Sequence, residues 1–244
     1  MRRWPAILLA FLLPLGALSA CAGKQSWDNI MTGMVDTMYS ALDYLQIGDP
    51  VQAPYVAQRS LTRGMINSLR ACEHTLSAAK LDKEAQKYGL LRKKIDNDPA
   101  FLSNTGNLKY TLQQVDLAVA ASDKVAASRK FDQSRAREHL CNGLFFASLA
   151  LSNDVLAVKA FETILKKKTP DNAAYGGSDQ ARQQFVLYLA EQGMNYLPRH
   201  IESLGRMSSN ISSYATDHDI VMPSEAEIRK AEDAEKAKID KGDL

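Results

Sequence analysis

The chain has 244 residues, with 30 Lys and Arg against 28 Asp and Glu and a net charge of +2 when histidine is neutral. Such a balance excludes a nucleic-acid binder built on a dense basic face. The apolar fraction of 45% belongs to a globular chain with a real core, and the length suits one large domain or two small ones.

Arg2 and Arg3 lead into an apolar run from Ala6 to Leu18, with Pro14 near its end. The run is shorter than the roughly 20 apolar residues that a comfortable span requires. A basic start, a short apolar core and a small-residue exit predict a cleaved export signal. The exit itself, Leu18-Ser19-Ala20-Cys21, resembles the bacterial lipobox: an aliphatic residue, two small residues, then cysteine. That resemblance implies a signal peptide over residues 1–20, with Cys21 as the first mature residue and the site of lipid attachment. Its sulfur would carry a diacylglyceryl group and its amine an acyl chain such as palmitate. One chain binds a membrane only marginally, since each buried methylene contributes about 0.8 kcal/mol; three would hold durably. Ala22 resembles the outer-membrane sorting pattern of Gram-negative lipoproteins. The expected location is therefore the bacterial cell envelope, on the outer membrane facing the periplasm. Residues 21–26 form the anchor and a short linker, and loss of Arg2 and Arg3 leaves the mature chain near neutral.

The rest reads as helix. Trp27, Ile30, Met31, Met34, Val35, Met38, Leu42 and Leu45 share one helical face, and Ile47-Gly48-Asp49-Pro50 ends that helix. A second helix is predicted from about Pro54 to Lys80, with Leu61, Met65, Leu69, Cys72 and Leu76 as its stripe. A third, more charged, covers Leu81 to Ile95 and stops near Asn97-Asp98-Pro99. Leu108, Leu112, Val115 and Val119 mark a fourth. A fifth starts near Asp132 or Ser134, either a suitable N-cap. It carries Leu140, Leu144, Phe145, Phe146, Leu149 and Leu151, and apolar residues on nearly all sides place it centrally in the core. A sixth runs from about Asp154 to Lys167. After a loop at Ala173 to Gly177, Ser178 caps a long seventh helix with Phe185, Leu189, Leu197, Leu204 and Ile211 inward. Pro198 is expected to kink or split it.

No alternating strand pattern competes. The tail 217–244 is acidic, with five Lys and Arg against nine Asp and Glu; it lacks an apolar stripe and is expected to be solvated and mobile. The expected fold is all-α, antiparallel helical hairpins forming a bundle or a short solenoid over residues 27–216. Tyr44, Gly48-Asp49, Ala53 and Leu61 resemble the middle of a tetratricopeptide repeat. Ser152, Ala157, Phe161, Leu165 and Pro170 resemble the same unit, at a separation close to three repeats of about 34 residues. Departures are visible, with Ala57 at an aromatic position, so generic helical hairpins stand beside true repeats as readings.

Two Cys/His pairs are mirror images: Cys72-Glu73-His74 and His139-Leu140-Cys141. Residues two apart on a helix point about 200° apart, so one metal ion could not take both members of each pair. No metal and no cofactor is expected. Cys72 and Cys141 form a possible disulfide in an oxidising compartment, with two buried thiols as the alternative. Ser77 and Lys80 match Ser-x-x-Lys, but Ser122-Asp123-Lys124 and Lys168-Thr169-Pro170 miss the companion elements of penicillin-binding enzymes. Nucleophile-elbow, P-loop, zincin and EF-hand motifs are all missing.

The resulting expectation is a non-enzymatic lipoprotein that binds a protein partner, as an adaptor or assembly factor. The alternative is a ligand-binding accessory lipoprotein of a solute transporter. Ala174-Tyr175-Gly176-Gly177-Ser178, Ala181-Arg182 and Phe185 resemble the helical T component of some periplasmic (TRAP-type) transporters.

Overall fold

The structure, a computed structural model, describes residues 52–98, 100–166 and 180–220, with scattered positions beyond. The signal, Cys21, the helix expected at Trp27–Leu45, the loop at Ala173–Gly177 and the Ser178 cap lie outside these residues. Within them the fold is all-α, with five α-helices and no strand: α1 Ala53–Ala78, α2 Asp82–Asn97, α3 Thr105–Ser128, α4 Gln133–Lys166 and α5 Gln180–Asp217. A 3-10 turn at Phe101–Ser103 precedes α3.

α1 is the hub, packing against all four other helices. Its closest partner is α4, and the two run antiparallel. The α4 entry touches the α1 exit, where Asp132 N–H donates to Ala78 O at 2.8 Å; further along, Gly64 lies over Asn153 and Asp154. Small residues make that approach close. Gly143 sits against Ala71, His74 and Thr75, and Ser68, Ala147 and Ala150 continue the same stripes fully buried. α2 folds back on α1, with Arg92 on Glu73 and Arg70 towards Asp96. α5 lies parallel to α1, as Ser68–His200 and Thr75–Met207 show, and parallel to α3, as Asp116–His200 and Asp123–Arg206 show. The many non-sequential contacts of α1 make this a closed bundle, whereas a solenoid unit touches only its neighbours.

The predicted stripes are the core. Leu61, Met65, Leu69, Cys72 and Leu76 of α1 are buried, as are Leu108, Leu112, Val115 and Val119 of α3 and Leu189, Leu197, Leu204 and Ile211 of α5. Phe145, Phe146 and Phe185 are only partly buried against them. Local chemistry sets the helix ends. Pro54 opens α1, where its missing N–H costs nothing. α1 closes with Lys80 in the left-handed region, φ 58°; Leu81 N–H returns to Leu76 O and Lys80 N–H to Ser77 O, the Schellman arrangement. Asn104 caps α3, its Oδ1 accepting from Gly106 N at 2.9 Å and Asn107 N at 3.1 Å. We expect Asn104→Ala to cost about 1 kcal/mol in urea unfolding; no loss would show the cap is idle.

Two expectations are corrected. The fifth and sixth helices are one, α4, unbroken through Ser152 and Asp154. No helix starts at Asp154, whose side chain turns into the core, where it is 1% exposed. Ser152 lies inside this helix. Of the kink or split expected at Pro198, the split does not occur: α5 continues on both sides. Its ring removes the donor to the Met194 carbonyl, and burial of Leu197 and His200 beside it holds the helix together.

Candidate functional site

α4 is long and apolar enough to cross a membrane, yet most of that stretch is buried inside the protein. The bundle spends this apolar surface on its own core, and within that core lies a polar cluster.

His200 of α5 is fully buried. Its Nε2 is 2.8 Å from Ser68 Oγ of α1, and its Nδ1 is 2.8 Å from Tyr196 Oη one turn back on α5. Tyr196 and His200 also stack, with centroids 4.8 Å apart. Asp154 of α4 stands 3.6 Å from Nε2, and Asp116 of α3 stands 4.0 Å from Nδ1. Four helices thus meet at one imidazole.

Burial governs the charges here. It pushes the Asp154 carboxyl well above the usual carboxylate range and lowers His200 to about 3. A charge moved from water to this interior loses solvation that a neighbour at 3.6 Å does not restore, so burial favours the neutral form of each group. Neither Asp154 oxygen finds a hydrogen-bond donor or acceptor among the described residues. Gly64 makes room for the carboxyl: a Cβ there would stand 2.2 Å from Asp154 Oδ1. Tyr196 is raised well above the phenol range, first by burial and then by Asp154 and Asp116.

Ser68, His200 and Asp154 have the composition of a hydrolytic triad but not its arrangement. A triad places serine and carboxylate on opposite ring nitrogens. Here both face Nε2, and Nδ1 belongs to Tyr196. The phenol is the better donor to Nδ1, which puts the ring proton on Nε2 and makes Ser68 an acceptor. A ring nitrogen carrying that proton cannot take one from Ser68. Ser68 is also 0% exposed, closed to substrate in this conformation. The arrangement suits a structural pin between helices.

The residues singled out from sequence are placed as follows. Cys21 lies outside the described residues. Cys72 and Cys141 are not bridged. Their helices do touch, but through His74, Thr75 and Gly143, which occupy the facing stripes. Cys72 instead points to Ser122 of α3, and burial pushes its thiol up to about 12. We expect Cys72 to resist alkylation in the native chain and to react fully in urea, read by peptide mass mapping. Rapid native labelling, or a bridge surviving into urea, would contradict this placement. Lys80 of the Ser-x-x-Lys match is ion-paired with Asp132 at 2.6 Å, not with Ser77.

One member of each mirror-image pair does meet its counterpart. His74 Nδ1 of α1 and His139 Nδ1 of α4 are 3.1 Å apart. Their centroids lie 5.4 Å apart, and His74 stacks on Phe146 at 5.7 Å and 10°. Among the described residues no group of three or more His, Cys, Asp or Glu is gathered for a metal.

Sequence reasoning missed the buried cluster. Its one legible signal was Tyr196 with His200, four apart and so on one helical face. Asp154 was visible only as the expected start of a sixth helix. No protein-family model, no curated protein and no solved structure matches this chain.

Proposed function

We propose that the chain is a lipid-anchored helical lipoprotein of the bacterial envelope, on the outer membrane facing the periplasm, acting as a protein-binding adaptor or assembly factor. The observation that carries this reading is Leu18-Ser19-Ala20-Cys21 behind a basic, apolar leader. The closed bundle is compatible with it, since a folded helical body can ride on a short tether. Tyr110 and Leu117 support the binding half of the reading. They lie two turns apart on α3 and are 53% and 56% exposed, large apolar groups that a partner surface would cover.

Two measurements test the halves separately. Labelling with an alkyne fatty acid should mark the wild-type chain and not Cys21→Ser, and the variant should leave the membrane fraction. Equal labelling of both would end the lipoprotein reading. Crosslinking in intact cells should capture one protein partner with the wild type and lose it with Tyr110→Lys or Leu117→Lys. Capture of none would end the adaptor reading and leave the anchor standing.

A further inference from the structure

We propose that His74 and His139 form a two-point binding site for a borderline divalent cation of the Zn2+ or Ni2+ class, with water completing the coordination.

The argument starts from spacing. Two imidazole nitrogens on one ion, each at about 2.0–2.1 Å, lie about 2.9 Å apart at a right angle and about 3.3 Å apart at a tetrahedral angle. His74 Nδ1 and His139 Nδ1, at 3.1 Å, fall inside that interval. The frame is rigid: the rings project from α1 and α4, the most closely packed helices of the bundle, and Phe146 fixes the plane of His74. Both rings are half-buried, so an ion can reach them from solvent.

Without an ion, one Nδ1–H donates to the other Nδ1. An ion between the rings takes both lone pairs, and the donor ring moves its proton to Nε2. Burial and the neighbouring His139 hold His74 down to about 4.

The surrounding charges permit a dication. Arg70 and Arg92 face the pair from α1 and α2, and Glu138 adjoins it on α4. Both guanidiniums are already engaged. Arg92 Nε donates to Glu73 Oε1 at 2.6 Å, and Asp96 stands 4.0 Å from Arg92 and 3.7 Å from Arg70. Two cations against three carboxylates leave the patch net negative. Imidazole donors select the later first-row ions over Mg2+ and Ca2+. The sequence argument against one ion holding Cys72, His74, His139 and Cys141 together still stands; each pair contributes one member.

The full-length chain in detergent micelles tests this by calorimetric titration with Ni2+ alone and with Zn2+ alone. One ion should bind per chain, with a rise in Tm. His74→Gln and His139→Gln should each weaken binding about tenfold or more and abolish the Tm rise, with unchanged far-UV circular dichroism showing that they fold. His218→Gln, at the exposed end of α5, should bind as wild type. Stoichiometric binding that survives both core variants, or no binding by the wild type, would overturn the site and leave a hydrogen-bonded pair.

Discussion

Gly193→Ala is expected to destabilise the protein by about 3 kcal/mol. A Cβ at Gly193 of α5 would stand 2.1 Å from Phe161 Cε2 and 2.7 Å from two more ring carbons. Phe161 of α4 is fully buried and lies on the bare backbone of α5 at that crossing. The ring has no solvent to retreat into, so the methyl must displace a helix or force an off-rotamer side chain. Phe161→Leu should relieve the conflict at its source. Alone it leaves a small void and costs about 1.5 kcal/mol. Combined with Gly193→Ala, it should give a total loss at least about 1 kcal/mol smaller than the sum of the singles. Urea midpoints at constant m-value measure all three. Additive losses would mean that ring and glycine do not touch.

The second large effect is a pair of opposed pH dependences at the buried cluster. His200 is held at about 3 in the fold and titrates near 6.5 when unfolded. Between those values the unfolded chain binds the extra proton, so this group makes stability fall as pH drops from 6.5 towards 3. Asp154 works the other way. Its folded value is raised, so above the unfolded value near 3.9 the fold retains a proton that the unfolded chain gives up. Stability from this group falls as pH rises. From about 4 to 6.5 the two slopes oppose each other in the wild type, that of His200 being about 1.4 kcal/mol per pH unit. Asp154→Asn should expose the His200 slope, with stability dropping by that amount per unit below pH 6.5. His200→Gln should expose the Asp154 slope, with stability dropping above pH 4. His74 adds a smaller acid-side loss common to all three proteins, which the comparison with wild type removes. Variants whose slopes match the wild type would show that neither group is held neutral by burial.

The apolar stripes were legible because period carries them. Leu61, Met65, Leu69, Cys72 and Leu76 alternate at three and four residues, and burial at those positions follows from helix geometry alone. The join in α4 was not legible. Asn153-Asp154 reads as a boundary between two helices, and only a partner helix bearing Gly64 opposite it makes room for a carboxyl in mid-helix. The same logic hid the polar cluster. Ser68, Asp116, Asp154 and His200 come from four helices, and sequence spacing carries no record of which helices meet. The His74–His139 contact was half visible. The mirror-image order of the two pairs flagged the residues, but the antiparallel pairing of α1 and α4 decided which member of each would face the other.

Asp154 has a consequence beyond the interior it disturbs. α4 satisfies the length and hydropathy of a bilayer-crossing segment, and a chain whose N-terminus resembles an export signal would present it, while still unfolded, to machinery that partitions segments by hydropathy. An aspartate near the middle of such a segment opposes lipid insertion by about 3 kcal/mol. The carboxyl that finds no hydrogen-bonding group among the described residues would thus act as a stop sign against integration, keeping that apolar stretch available for folding.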